Sequence, residues 1–249
     1  GLRRSWLDVL TEPVSLLISS LEESKFRIKY AFWDMNANIT HKFSNENKLS
    51  LNVYGGRDAA KLIAGNDRQP AEAYRSKFLT EWGLEWGNLV TSIDWDYKFA
   101  SNHETSLKVY YSMYDSLFGL YDDYYFEHSD HVEETFTSTG NKSRTSGLGL
   151  KADFGYRPAE NHHIRYGTAL KCRFYNPVGF AIENEKINGK LIYDKDNRQS
   201  SPRKSFESDL YIEDEMTLTD WFTANLGLRY SAIATDGKWY HSVEPRAAL

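Results

Sequence analysis

Every second residue is apolar across stretches longer than an ordinary strand. The segment FWDMNANITHKF, residues 32–43, places Trp33, Met35, Ala37, Ile39, His41 and Phe43 on one face of an extended chain, and Asp34, Asn36, Asn38, Thr40 and Lys42 on the other. The same alternation recurs over 48–57, 86–100, 105–115, 145–157, 163–175, 206–219 and 221–233, and the first segment extends back to residue 28. These segments predict an all-β, antiparallel architecture. They exceed the usual globular strand of about 5–6 residues and reach the roughly 9–11 residues that a tilted strand needs to cross a bilayer.

The two faces differ in chemistry. One carries Trp33, Trp95, Leu107, Leu150, Leu170 and Leu226 among its residues, and Asp214 is its only formal charge. The interleaved face carries Asp94, Asp96, Lys98, Lys108, Lys151, Asp153, Arg165, Glu213, Glu215 and Arg229. A soluble sandwich also has a dry and a wet face, so a soluble or surface-exposed antiparallel β protein, binding or structural, is the alternative reading. Three features favour lipid. The strands are long. Large aromatics stand toward the ends of the apolar stripe, as at Phe43, Tyr97, Phe99, Tyr156, Phe174, Phe222 and Tyr230, where an interfacial girdle belongs. Short polar breaks at 44–47, 101–104, 158–161 and around 219–220 alternate with long polar connections at 58–85, 116–144 and 176–205. Structureless loops of that length are foreign to compact soluble domains but ordinary on the outside of an outer-membrane barrel. On this reading Trp33, Trp95, Leu107, Leu150, Leu170 and Leu226 face acyl chains, where every backbone group must find a protein partner and an outward Arg or Lys at mid-depth costs about 2–4 kcal/mol.

Composition removes other classes. No apolar run reaches the roughly 18 residues of a transmembrane helix; PVSLLISSL at 13–21 comes nearest. With 30 Lys and Arg against 35 Asp and Glu, the net charge of −5 argues against a nucleic-acid partner. The single cysteine, Cys172, excludes an internal disulfide framework, and its place between Leu170 and Phe174 makes it a small hydrophobe of the apolar stripe. No export signal is recognisable at Gly1-Leu2-Arg3-Arg4, which fits a mature cytosolic domain or a piece of a longer precursor.

GLRRSWLDVL at 1–10, FWDMNANITHKFSNENKLSLNVYGGRD at 32–58, LYIEDEMTLTDWFTANLGLRYS at 210–231 and VEPRAAL at 243–249 resemble the barrel of TonB-dependent outer-membrane receptors, especially those of the Bacteroidetes type. The run from Asp214 to Tyr230 is the most specific part. The resemblance implies a 22-stranded barrel closed by a plug, a bacterial outer-membrane location, and nutrient import powered through the TonB complex. Residues 1–249 would then be part of one β-barrel domain: about eight full strands, with a stub at each end, Arg3–Leu10 and Val243–Leu249. The plug and C-terminal strands would lie outside the sequence and be partners of it, as would outer-membrane lipid. A small stand-alone outer-membrane barrel is the alternative.

No cofactor and no catalysis are expected. Asp94 with Asp96, and Glu213 with Glu215, share the polar face and have the form of acid–base pairs, but carboxylates are the ordinary filling of a barrel lumen. LYDDYYF at 120–126 offers Tyr121, Asp122, Asp123, Tyr124 and Tyr125 as a substrate-binding cluster at an extracellular loop, suited to stacking and hydrogen bonding with a sugar or chelate. EHSDHVEE at 127–134 contains His128 and His131 as weak metal ligands; their spacing matches no closed site, and a solvated acidic loop is the expected reading. The sequons at Asn38 and Asn141 are chance matches on a bacterial chain.

Overall fold

The computed structural model describes residues 1–5, 7–22, 25–71 and 74–249. They form one antiparallel sheet of eleven strands and a single helix. The strands are β1 (Leu2–Arg4), β2 (Lys25–Lys42), β3 (Asn47–Ala71), β4 (Tyr74–Ala100), β5 (His103–Glu127), β6 (Val132–Ala159), β7 (His162–Ile187), β8 (Lys190–Ser200), β9 (Arg203–Thr219), β10 (Phe222–Thr235) and β11 (Lys238–Ala248). Each pairs with its sequence neighbour, except that β8 and β9 share one side of β7: β8 lies along residues 178–187 and β9 along 162–175. Ser201 and Pro202 interrupt what is otherwise one continuous path, because proline has no N–H to give the ladder.

All eight expected strands are present. The connections expected to be structureless are not. Residues 58–71 and 74–85 continue β3 and β4 in unbroken register from Asn47↔Tyr97 to Arg68↔Ser76, and residues 116–127 and 132–144 continue β5 and β6 to Glu127↔Val132. Residues 176–205 hold the end of β7, all of β8 and the start of β9. Here both faces meet water, so the alternation fades while the backbone ladder persists. β8 is exposed along its whole length. Two connections are two-residue turns, Asn188-Gly189 (φ 52° and 75°) and Asp236-Gly237 (φ 49° and 75°). Positive φ at both central positions is the type I′ geometry that matches strand twist, and Asn-Gly and Asp-Gly are its preferred pairs.

The strand expected over Arg3–Leu10 is also corrected. Extended pairing stops at Arg4, and helix α1 runs from Leu7 to Glu22. Leu7, Leu10, Val14, Leu17 and Leu21 recur at helical spacing, a period incompatible with a strand. α1 lies along the free side of β2. Ser15 Oγ accepts from Ile28 N at 2.9 Å and Ser19 Oγ from Phe26 N at 2.8 Å, while Ser5 Oγ takes Phe32 N at 3.2 Å. Hydroxyls thus satisfy edge amides that a neighbouring strand would otherwise take.

No second layer covers the apolar face. Trp95 is 37% exposed, Leu150 42%, Leu170 36% and Leu226 51%, and no large side chain among the described residues is fully buried. The polar face bounds a concavity of about 510 Å³ that reaches from Lys42 on β2 to Tyr211 on β9, so the sheet curls with its charged side inward. Among the described residues β11 has no partner beyond β10, and the sheet is open.

Candidate functional site

The outward face is a belt with two borders. Across the middle of the sheet Leu51, Ile93, Val109, Leu150 and Leu170 stand in one lateral row. Toward the short turns, aromatic rings meet in a chain: Trp95 stacks on Tyr97 at 5.7 Å, Tyr97 meets Phe99 at 6.3 Å, Phe99 meets His103 at 5.0 Å, and His103 stacks on Tyr156 at 4.3 Å. Asp214, the one charge of the stripe, lies at this border opposite Ile164 and pairs with His162 at 2.7 Å. At the other border the outward positions turn charged together. Arg57 reaches Glu85 at 2.7 Å and Asp115 at 3.6 Å, and Lys61 reaches Glu81 at 2.7 Å. Between His103 and Asp115, β5 spans about 11 residues without an outward charge, the length that crosses a bilayer at a tilt.

The inward face is a paired polar wall. Asp94 takes Lys108 at 2.9 Å, Asn52 at 2.6 Å and Ser92 at 2.8 Å. Asp153 takes Lys151 at 2.8 Å and the Tyr211 hydroxyl at 2.6 Å. Arg165 bridges Glu213 and Glu215 at 2.9 and 3.3 Å. Asp209 gathers Arg229 at 2.9 Å, Ser231 at 2.7 Å and Lys171 at 3.6 Å. Lys48 holds Asp96 at 2.8 Å. The two carboxylate pairs with acid–base form are therefore each tied to a cation: Asp94 to Lys108 and Asp96 to Lys48, Glu213 and Glu215 to Arg165.

The pleat divides the expected binding cluster, which lies within β5 and not in a loop. Asp122 and Tyr124 point inward: Thr80 donates to Asp122 at 2.6 Å, and Tyr124 packs on Phe78 with ring centroids 5.0 Å apart. Tyr121, Asp123 and Tyr125 point outward; Tyr121 and Asp123 line a shallow groove with Leu117 and Phe136, and Tyr125 donates to Glu127 at 3.3 Å. The five residues are therefore divided between the two faces of β5.

His128 and His131 sit in the turn between β5 and β6, closed by His128 N donating to His131 O at 2.8 Å. His131 Nδ1 lies 2.7 Å from Asp130 and its Nε2 3.0 Å from Glu133. The Asp130 hydrogen bond, then that of Glu133, holds the imidazole above its ordinary pKa, and His131 draws Asp130 below the usual carboxylate range. The sequence reading missed the outward charges at 57, 85 and 115 as a border, although the break in alternation after Gly55 and Met113 signals it. It also missed the two type I′ turns, which Asn-Gly and Asp-Gly announce.

A single curled sheet, apolar and uncovered outside, polar and paired inside, is the wall of a transmembrane β-barrel. Residues 26–249 match the family described as TonB dependent receptor-like, beta-barrel. The chain belongs to that family, and with it to the bacterial outer membrane. No curated protein sequence matches it. Among solved structures it is similar to the ferric citrate transporter FecA in its unliganded form, at 10% identity and a TM-score of 0.33, with 90% of this chain and 38% of that one covered. It is similar to BauA, the ferric preacinetobactin receptor from Acinetobacter baumannii, at 10% identity and a TM-score of 0.40, covering 90% and 44%. A KdgM porin in complex with disordered oligogalacturonate follows at 10% identity and 0.22, covering 88% and 94%. The chain thus spans less than half the length of the two receptors. Family membership rests on the sequence match; likenesses with TM-scores this low add nothing to it.

Proposed function

We propose that the chain supplies part of the wall of a TonB-dependent outer-membrane transporter, which imports a nutrient of the siderophore, vitamin, glycan or peptide class with energy delivered through TonB. The short turns face the periplasm and the long hairpins the exterior. One observation carries the reading: a charge-free belt of bilayer height backs onto a continuous wall of paired charges. The open edges of the sheet are closed by further strands of the same barrel, because unpaired backbone in hydrocarbon costs several kcal/mol per group. A plug domain occupies the polar interior. Asp122 and Tyr124, with Phe78, stand on the inner wall above the belt and contribute to substrate capture, while outward-facing Tyr121, Asp123 and Tyr125 do not.

Growth of a strain lacking this gene, on a panel of sole iron, cobalamin, glycan and peptide sources, tests the proposal beside a strain lacking TonB. The expected result is a defect on at least one source that both strains share and that the intact gene restores. A strain growing as its parent on every source that requires TonB would contradict it.

A further inference from the structure

We infer that the turn between β5 and β6 is a binding site for a borderline divalent cation of the zinc class, held by His128, His131 and Glu133. Nothing in this inference depends on which nutrient the barrel carries or on how its transport is powered. A ring nitrogen of each histidine and a carboxylate oxygen of Glu133 all lie within 4.8 Å of one another. His131 Nε2 and Glu133 Oε1 are 3.0 Å apart, a few tenths of an ångström inside the ~3.4 Å edge of a tetrahedron drawn at zinc's usual ligand distances. Two imidazoles and one carboxylate are the donor set such an ion takes, with a fourth position left for water or an incoming ligand.

The surroundings support these ligands. Asp130 holds His131 Nδ1 at 2.7 Å, which fixes the ring and leaves Nε2 for the ion, the carboxylate–histidine relation common behind metal ligands. Two neighbouring hairpins hold the turn from either side. Asn188, at the tip of β7–β8, donates from its backbone to Val132 O and accepts from Val132 N through its side chain, both at 2.8 Å, one residue before Glu133. Tyr74, at the start of β4, meets the His128 ring edge-on at 6.4 Å. The two imidazoles stack at 4.5 Å with planes 6° apart, so coordination requires one ring to swing about its side-chain torsions until both planes converge on the ion. Both rings are half-buried, and that of His128, which no side-chain hydrogen bond pins among the described residues, is the one to turn.

Zinc titration of the full chain in detergent, stripped with a chelator and read by competition with a chromogenic zinc indicator, tests the site. The expected result is one saturable zinc per chain, with affinity lowered roughly tenfold or more in each of His128→Ala, His131→Ala and Glu133→Gln, and by about tenfold in Asp130→Asn. His41→Ala, at the opposite end of the sheet, should bind as the parent does, and circular dichroism should show all variants equally folded. No saturable binding by the parent chain, or binding that survives all three ligand substitutions, would overturn the inference.

Discussion

Val109→Arg is expected to destabilise the inserted protein by about 2–4 kcal/mol, whereas Leu117→Arg on the same strand and the same face costs about 0–1 kcal/mol. Val109 lies in the lateral row through the middle of the belt, opposite Ile93 and Leu150. A guanidinium there is held in hydrocarbon with no partner, and its side chain is too short to reach either interface from mid-depth. Leu117 is eight residues further along β5, past Asp115, at the level where Glu85 and Arg57 already pair in water. Hydrophobicity and side-chain direction are alike at the two positions; depth alone differs. By the usual conversion the cost at Val109 is roughly 30- to 700-fold in the ratio of folded to unfolded protein. Urea titration of membrane-inserted protein, followed by tryptophan fluorescence, measures it. Equal costs at the two sites would show that depth has no meaning on this face.

Asp209→Ala should cost about 1–3 kcal/mol, the largest effect expected from any single residue of the inner wall. Asp209 is the acceptor for Arg229, Lys171 and Ser231, and its side chain is only 15% exposed. Its loss strands two cations that share few other acceptors: Lys171 retains Glu207 at 3.6 Å, while no other carboxylate is paired with Arg229 among the described residues. The wall faces a hydrated interior, which keeps the figure below that of a dry buried triad. Asp209→Asn, which preserves the hydrogen bond from Ser231, should recover part of the loss. Breaking Arg57–Glu85, by contrast, should shift stability by less than about 1 kcal/mol, because the Arg57 side chain is nearly half exposed and water screens the pair. Thermal unfolding in detergent orders the three variants. An Asp209→Ala protein as stable as its parent would show that the charges of the wall are solvated individually and not held as a network.

How much the sequence discloses follows from what each stretch touches. Inside the belt, lipid forbids charge on one face and water favours it on the other, so residues 32–43 and 105–113 state their geometry outright. Above the belt the two faces meet the same solvent. Lys190–Ser200 then reads as a polar loop although it is a full strand, and the expected cluster at Tyr121–Tyr125 reads as one surface although the pleat splits it. The Asn-Gly and Asp-Gly turns were legible in principle, and they mark where two of those upper strands reverse. α1 was obscured differently: the likeness of residues 1–10 to a barrel strand conflicted with the helical spacing of its leucines, and the spacing prevailed. The proximity of His128, His131 and Glu133 depends on a turn folding back on itself, which linear spacing does not encode.

Nitroxide labels placed one at a time from Thr105 to Leu117, in a Cys172→Ser background with the protein in bilayers, test the central claim most directly. Odd positions from Leu107 to Met113 should collide strongly with oxygen and weakly with a water-soluble nickel chelate, even positions should lack that preference, and the preference should vanish from Asp115 onward. Uniformly low oxygen accessibility at Leu107, Val109 and Tyr111 would place them under protein and contradict the account.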